Sequence, residues 1–157
     1  MPTANSLRIR PALAGDEAAW RTLWRGYCDF YKAEVSETVT AHTWARILDP
    51  ASAVHCILAE RDGLAAGFAN YVVHDATWEM QPLCYLEDLF VAPQARGTGA
   101  GKAMVQWLRD GMATRGWARL YWVTHRDNAT ARQLYDQFVG ADEFVRYVVR
   151  NRPSGST

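Results

Sequence analysis

Along this chain, stretches in which apolar and polar residues alternate give way to stretches in which apolar residues recur every three or four positions. Alternation is the period of a strand with one buried face, and the wider spacing that of a helix with one buried stripe. Residues 7–10 read as a first strand. Asp16 then offers an N-cap, and Trp20, Leu23, Trp24, Tyr27 and Tyr31 fall on one face of the helix behind it. A second helix is predicted over 36–48, ahead of Pro50. Residues 54–60 and 67–74 read as strands around the turn Arg61-Asp62-Gly63, and 83–91 as another, closed by Pro93. A glycine-rich turn leads into a helix with Met104, Trp107, Leu108 and Met112 on one face, ending at Arg115-Gly116. A strand at 120–124, a helix at 128–138, a last strand at 143–149 and a frayed tail at 151–157 complete the order. Hairpins in the first half and helical crossovers in the second predict a mixed α/β sheet with helices on both faces.

Composition narrows the function classes. A length of 157 residues, 49% of them hydrophobic, suits one domain over 1–157 that folds without staples or metal. Seventeen basic residues balance seventeen acidic ones, which disfavours nucleic acid as the main ligand. The apolar runs fall far short of the ~18 residues of a membrane span, so no membrane association is expected. The amino end, MPTANSLRIR, has no apolar signal core. Cys28, Cys56 and Cys84 are odd in number and form no CxxC pair, which points to structural thiols in a reducing, cytoplasmic setting. His42, His55, His74 and His125 share no metal-ligand spacing, and no metal is expected.

The candidate chemistry starts at Arg96-Gly97-Thr98-Gly99-Ala100-Gly101-Lys102. A helix start leaves backbone N–H groups unpaired at its partly positive end, and glycines let a loop bring them against a phosphate. A Walker loop would need glycine at Arg96 and a hydroxyl at Ala103, and the dinucleotide fingerprint would need glycine at Lys102. Arg-x-x-Gly-x-Gly after a strand ending Phe90-Val91-Ala92-Pro93 instead resembles the acetyl-CoA loop of GNAT-superfamily N-acetyltransferases. The stretch Asn128-Ala129-Thr130-Ala131-Arg132-Gln133-Leu134-Tyr135 is similar to a second pattern of that family, Asn-x-x-Ala-x-x-Leu-Tyr.

The resemblance implies a mostly antiparallel sheet of about six to seven strands with about four helices, splayed between the strands at 83–91 and 120–124. It implies acetyl-CoA as co-substrate. Residues Arg96 to Lys102 would hold the pyrophosphate, Leu89, Phe90 and Val91 would pair with the pantetheine arm, and Asn128 would offer it an amide. Tyr135 would protonate the departing thiolate; a phenol with pKa near ~10 suits a thiol near ~8.5. Many relatives have Phe where this chain has Ala141, so packing on the acceptor side is expected to differ.

An acceptor amine of pKa ~10.4 is neutral in about one molecule in 2,500 at pH 7, a cost of roughly 4.6 kcal/mol, so its proton must be taken. The string Tyr85-Leu86-Glu87-Asp88-Leu89-Phe90-Val91 resembles diamine and polyamine acetyltransferases of the spermidine/spermine type. By that resemblance Glu87 would take the proton, directly or through water, and Asp88 would help attract the cation. A regular strand would point these two carboxylates to opposite faces, and a bulge near Leu89 would re-aim one. Trp24, Tyr27, Phe30 and Tyr31, with Asp29, Glu34 and Glu37 close behind, suit a cationic alkyl chain, although residue by residue a core stripe with a solvated acidic edge is the better reading. Trp78 and Glu79 are weaker candidates. The expected reaction is direct transfer to a small amine. A protein lysine or N-terminus, or an aminoglycoside-like amine, is the alternative acceptor, and a non-catalytic acyl-CoA sensor the alternative class. The run 144–149 offers an edge for a homodimer, as many relatives form.

Overall fold

A computed structural model of the protein describes residues 6–151; residues 1–5 and the expected tail from 152 onward lie outside the described residues. The elements are β1 (Leu7–Pro11), α1 (Glu17–Phe30), α2 (Glu37–Leu48), β2 (Val54–Arg61), β3 (Leu64–His74), β4 (Leu83–Val91), α3 (Ala100–Asp110), α4 (Met112–Arg115), β5 (Arg119–Tyr121) and α5 (Ala129–Tyr135). They fall into two compact units, one ending at Val123 and one beginning at Thr124.

In the first unit the strands follow one another in the order β1-β2-β3-β4-β5. Neighbours are antiparallel except β4 and β5, which are parallel. This is the mixed, mostly antiparallel α/β sheet expected, with a corrected count: five strands among the described residues rather than six to seven. The strand expected at 120–124 ends at Tyr121, and 143–149 forms no strand among the described residues. Alternation gives a segment strand propensity, but a strand exists only where a neighbour pairs with it. The strand expected at 67–74 begins earlier, at Leu64, because the two-residue turn Asp62-Gly63 places Leu64 opposite Arg61. The helix expected to run to Arg115 divides at Gly111 into α3 and α4, a residue that weakens a helix interior.

α1 packs one face on the sheet through Trp20 and Leu23, which join Trp44 of α2, Cys56 and Leu58 of β2, Phe68 of β3 and Phe90 of β4 in a buried cluster. Trp20 is its centre, stacked on Trp24 with centroids 5.4 Å apart and tilted against Trp44 at 5.1 Å. Met104, Val105 and Leu108 of α3 are buried as well. Gly67 of β3 lets this helix approach, since a Cβ there would lie 2.6 Å from the Phe90 carbonyl oxygen and 3.2 Å from Met104 Cε. Ser36 caps α2, its side chain accepting from the Val39 N–H. Asp16 precedes α1 as predicted, but its carboxylate turns back to the Leu13 N–H at 2.7 Å and to Arg10 at 2.8 Å. All three cysteines are buried and unpaired.

Candidate active site

The site begins with a break in regular pairing. Asn70 of β3 lies opposite Asp88, yet the next residue, Tyr71, lies opposite Leu86, so Glu87 is the extra residue of a β-bulge. A one-residue slip exchanges the two faces of a strand. Below the bulge Leu86 shares a face with Tyr71, which packs on Trp117. Above it, Asp88 and Phe90 face α1. The expected bulge is therefore present, at Glu87 rather than near Leu89.

The slip puts the Asp88 carboxylate into a hydrogen-bonded chain beneath α1. Asn70 Nδ2 donates to Asp88 Oδ2 at 3.0 Å, and Trp20 Nε1 donates to Asn70 Oδ1 at 3.4 Å. The Tyr27 hydroxyl donates to Asp88 as well. Burial pushes the Asp88 carboxyl above the usual carboxylate range, and the bonds from Tyr27 and Asn70 offset only part of that rise. Burial, with the Asp88 charge adding to it, likewise holds the Tyr27 hydroxyl well above its ordinary value. Glu87 stays exposed, close enough for its charge to act on both Tyr27 and Tyr121.

The predicted aromatic stripe divides in this setting. Trp24 is occupied in packing: it stacks between Trp20 and Tyr27, and its Nε1 donates to Thr40 Oγ1 at 3.0 Å. Tyr31 leans on Tyr27 with centroids 4.9 Å apart and remains exposed. Asp29, Glu34 and Glu37 line an open cleft of about 580 Å³ together with Arg21, Arg25 and Cys28. Glu37 is tied there to Arg21 at 2.8 Å. Trp78 is 91% exposed, and Glu79 pairs with Arg119 at 3.1 Å.

β4 and β5 pair only from Leu83 with Arg119 to Tyr85 with Tyr121. β4 then runs on to Val91 without β5 beside it, which is the splay expected between these strands. Leu89 and Val91 are half-buried, and Phe90 is buried with its ring against Tyr27 and Phe68, so Phe90 can serve a ligand only through its main chain. The glycine turn follows. Gly97 (φ 74°) and Gly99 (φ 86°) both adopt the left-handed conformation that other residues resist, and Gly99 is the N-cap of α3. The loop is anchored by Arg61 Nη2 donating to the Thr98 carbonyl at 3.0 Å and by Thr98 Oγ1 donating to Ala95. Ala100, Gly101 and Lys102 form the first turn of α3, whose N–H groups have no partner within the helix. The Arg96 side chain is exposed and folds back along β4. Its Nε donates to the Val91 carbonyl at 3.2 Å and its guanidinium lies over the Phe30 and Phe90 rings; Lys102 is exposed as well.

In the second unit, Asn128 caps α5 by accepting from the Ala131 N–H at 3.2 Å. The helix expected over 128–138 spans Ala129–Tyr135, with the half-buried Tyr135 as its last residue. The structure thus gathers Glu87, Asp88 and Tyr27 around the bulge, close to residues the sequence reading did not select: Asn70, Tyr85, Tyr121 and His74. Asn70 carried a signal, an amide inside the apolar run Phe68-Ala69-Asn70-Tyr71-Val72-Val73. The other three lie on three different strands and share no local pattern. Among the described residues, no three His, Cys, Asp or Glu side chains gather to hold a metal ion.

The chain is similar to proteins of known family and fold. The model of the acetyltransferase (GNAT) family matches residues 18–141. The D-amino-acid N-acetyltransferase HPA3 of Saccharomyces cerevisiae is 33% identical over 134 residues, covering 84% of this chain and 83% of its own. The thialysine N-epsilon-acetyltransferase of Mus musculus is 29% identical over 99 residues, 58% of this chain and 57% of its own. Among solved structures, the aminoglycoside N-acetyltransferase AAC(6')-Iy in complex with CoA superposes with a TM-score of 0.77 at 21% identity, covering 97% of this chain and 98% of that one.

Proposed function

The chain belongs to the GNAT acetyltransferase family and is an N-acetyltransferase, and on that premise we propose that its acceptor is the primary amine of a small cationic molecule: a diamine, a polyamine or a lysine-like amine. The observation that carries this reading is the carboxylate pair at the β4 bulge. Glu87 brings a carboxylate to the surface near Tyr85 and Tyr121, with Asp88 hydrogen-bonded to Tyr27 and Asn70 behind it, a combination that favours an alkylammonium ion. The curated relatives and the solved structure described above are named for acetyl transfer to amine-bearing molecules.

The residues present fit a coenzyme A thioester. Left-handed Gly97 and Gly99 at the start of α3 suit a diphosphate, and the open edge of β4 suits an extended, amide-bearing arm. When bound, acetyl-CoA supplies an acetyl group activated as a thioester. The main-chain N–H groups of Gly97 to Lys102 hold the pyrophosphate, and the main chain of Leu89, Phe90 and Val91 orients the pantetheine. Glu87 takes the proton from the acceptor ammonium, directly or through water, and the Asp88 carboxyl behind it helps attract the cation. The sequence pattern around α5 supports Asn128 as a polar contact to the pantetheine and Tyr135 as the proton donor to the leaving thiolate.

CoA release measured over diamines, polyamines, lysine analogues, amino sugars and lysine peptides tests the acceptor class. Turnover is expected to be highest with the small diamines and polyamines; acetylation of peptides alone would overturn it. Glu87→Gln is expected to lower turnover by about 10²–10⁴-fold while acetyl-CoA affinity stays unchanged. Tyr135→Phe is expected to lower turnover more than affinity, and unchanged turnover removes Tyr135 from the reaction.

A further inference from the structure

Phe30 is the last residue of α1, yet it stands outside the buried cluster and is 56% exposed. What it does carry is a cation. The Arg96 guanidinium carbon lies 5.5 Å from the Phe30 ring centroid and 5.7 Å from that of Phe90, within cation–π range of both. The close approach of α1 to β4 brings this about. One turn before Phe30, Gly26 lets the Phe90 ring in, since a Cβ there would lie 2.9 Å from Phe90 Cζ. Tyr31 meets the Phe30 ring edge-on at 5.0 Å and leans on Tyr27 in turn, which braces that ring.

The sheet register shows where the cation is held. The Ala92 N–H donates to the Ala66 carbonyl at 2.8 Å, so these two residues form a hydrogen-bonded pair. Bonded and non-bonded pairs alternate along an antiparallel ladder. Val91, opposite Gly67, is then non-bonded and points its main-chain groups away from β3. On that side β5 has already ended, at Tyr121 opposite Tyr85. The Val91 carbonyl therefore lies on the open edge of β4, and Arg96 Nε donates to it at 3.2 Å. Nη1 and Nη2 of Arg96 have no hydrogen-bond or ion-pair partner among the described residues. The cation thus sits where the open edge of β4 meets the glycine turn, with its outer nitrogens available to an anion.

We propose that Phe30 is a positioning residue for the cofactor: it holds the Arg96 guanidinium at this junction, where Nη1 and Nη2 donate to the diphosphate of the coenzyme A thioester. This rests on the reading above that the glycine turn binds that diphosphate. The main-chain N–H groups of the turn bring only partial charge, whereas a guanidinium brings a full positive charge and a planar fork of donors suited to phosphate oxygens. A side chain leaving a turn with two left-handed glycines has many directions open to it. Phe30 and Phe90 restrict it to one, so less freedom is lost when the ligand binds. Phe30 therefore serves the cofactor rather than the acceptor wall that the aromatic stripe of α1 suggests. It acts through Arg96 and touches no reacting atom.

Calorimetry of acetyl-CoA binding to the full chain tests this with Phe30→Leu, Phe30→Trp, Arg96→Ala and the double variant of Phe30→Leu with Arg96→Ala. Leucine keeps the apolar bulk without the π face, and tryptophan offers a stronger one. Phe30→Leu is expected to weaken acetyl-CoA about three- to ten-fold, and Phe30→Trp to keep wild-type affinity. Arg96→Ala is expected to weaken it about ten-fold or more. Adding Phe30→Leu to Arg96→Ala should then cost nothing further, because the cation that Phe30 holds is gone. A packing role for Phe30 would instead add its own loss in the double variant. Wild-type affinity in Phe30→Leu, losses that add, or a loss that tryptophan does not spare overturns the positioning role alone. A wild-type protein that binds no acetyl-CoA overturns the cofactor reading and this role with it.

Discussion

Asp88 owes its place under α1 to its neighbour: because Glu87 is the extra residue of the bulge, Asp88 turns toward Tyr27 and Asn70. Burial there raises its pKa, so the folded protein holds the Asp88 proton more tightly than the unfolded chain does. Its contribution to stability is therefore fully present below the unfolded value, about 3.9, and is lost as pH rises through the raised native value. Asp16 acts in the opposite sense. Hydrogen bonding to Arg10 lowers its pKa, and the stability it confers is lost as pH falls through that lowered value. Asp88→Asn removes the first dependence and leaves the second. In urea titrations, the stability of Asp88→Asn relative to wild type should improve between pH 4 and pH 7. A constant difference would mean that the carboxyl is not buried as described.

At the scale of elements, the turn from β4 into α3 makes the sharpest demand on residue type. Gly99 holds φ 86° as the N-cap of α3, and a side chain in that conformation costs about 1–2 kcal/mol. Gly99→Ala should weaken acetyl-CoA by roughly five- to thirty-fold in calorimetry with little loss of kcat at saturation, and unchanged affinity would remove the turn from the binding site. This turn was legible in the sequence because glycine spacing and the helical stripe behind it lie next to each other along the chain. The α1 stripe was legible in the same way, although periodicity alone did not separate Trp24, held by Thr40, from Tyr27, held on Asp88. The bulge position was not legible: alternation assigns Glu87 and Asp88 to opposite faces, and only pairing with β3 shows where the register slips. The His74–Tyr121 contact joins residues 47 positions apart and leaves no local trace. The missing strand at 143–149 failed for the opposite reason: its alternation is clear, but no neighbour pairs with it among the described residues.

For the whole molecule, that same run bears on assembly. Phe144, Val145 and Tyr147 are exposed, Tyr147 to 89%, in a segment with the alternation of a strand. We propose that it is covered by a second copy of the chain. Sedimentation should then give a dimer at micromolar concentration, and Phe144→Glu with Tyr147→Glu should give a monomer; a wild-type monomer would refute the pairing. A last consequence concerns the three thiols. Burial pushes Cys28, Cys56 and Cys84 up, Cys84 to about 12, so none is an available nucleophile in the folded state. A chromogenic thiol reagent added to a reaction would accordingly colour only with the sulfhydryl that turnover liberates, and the protein itself would supply a silent background.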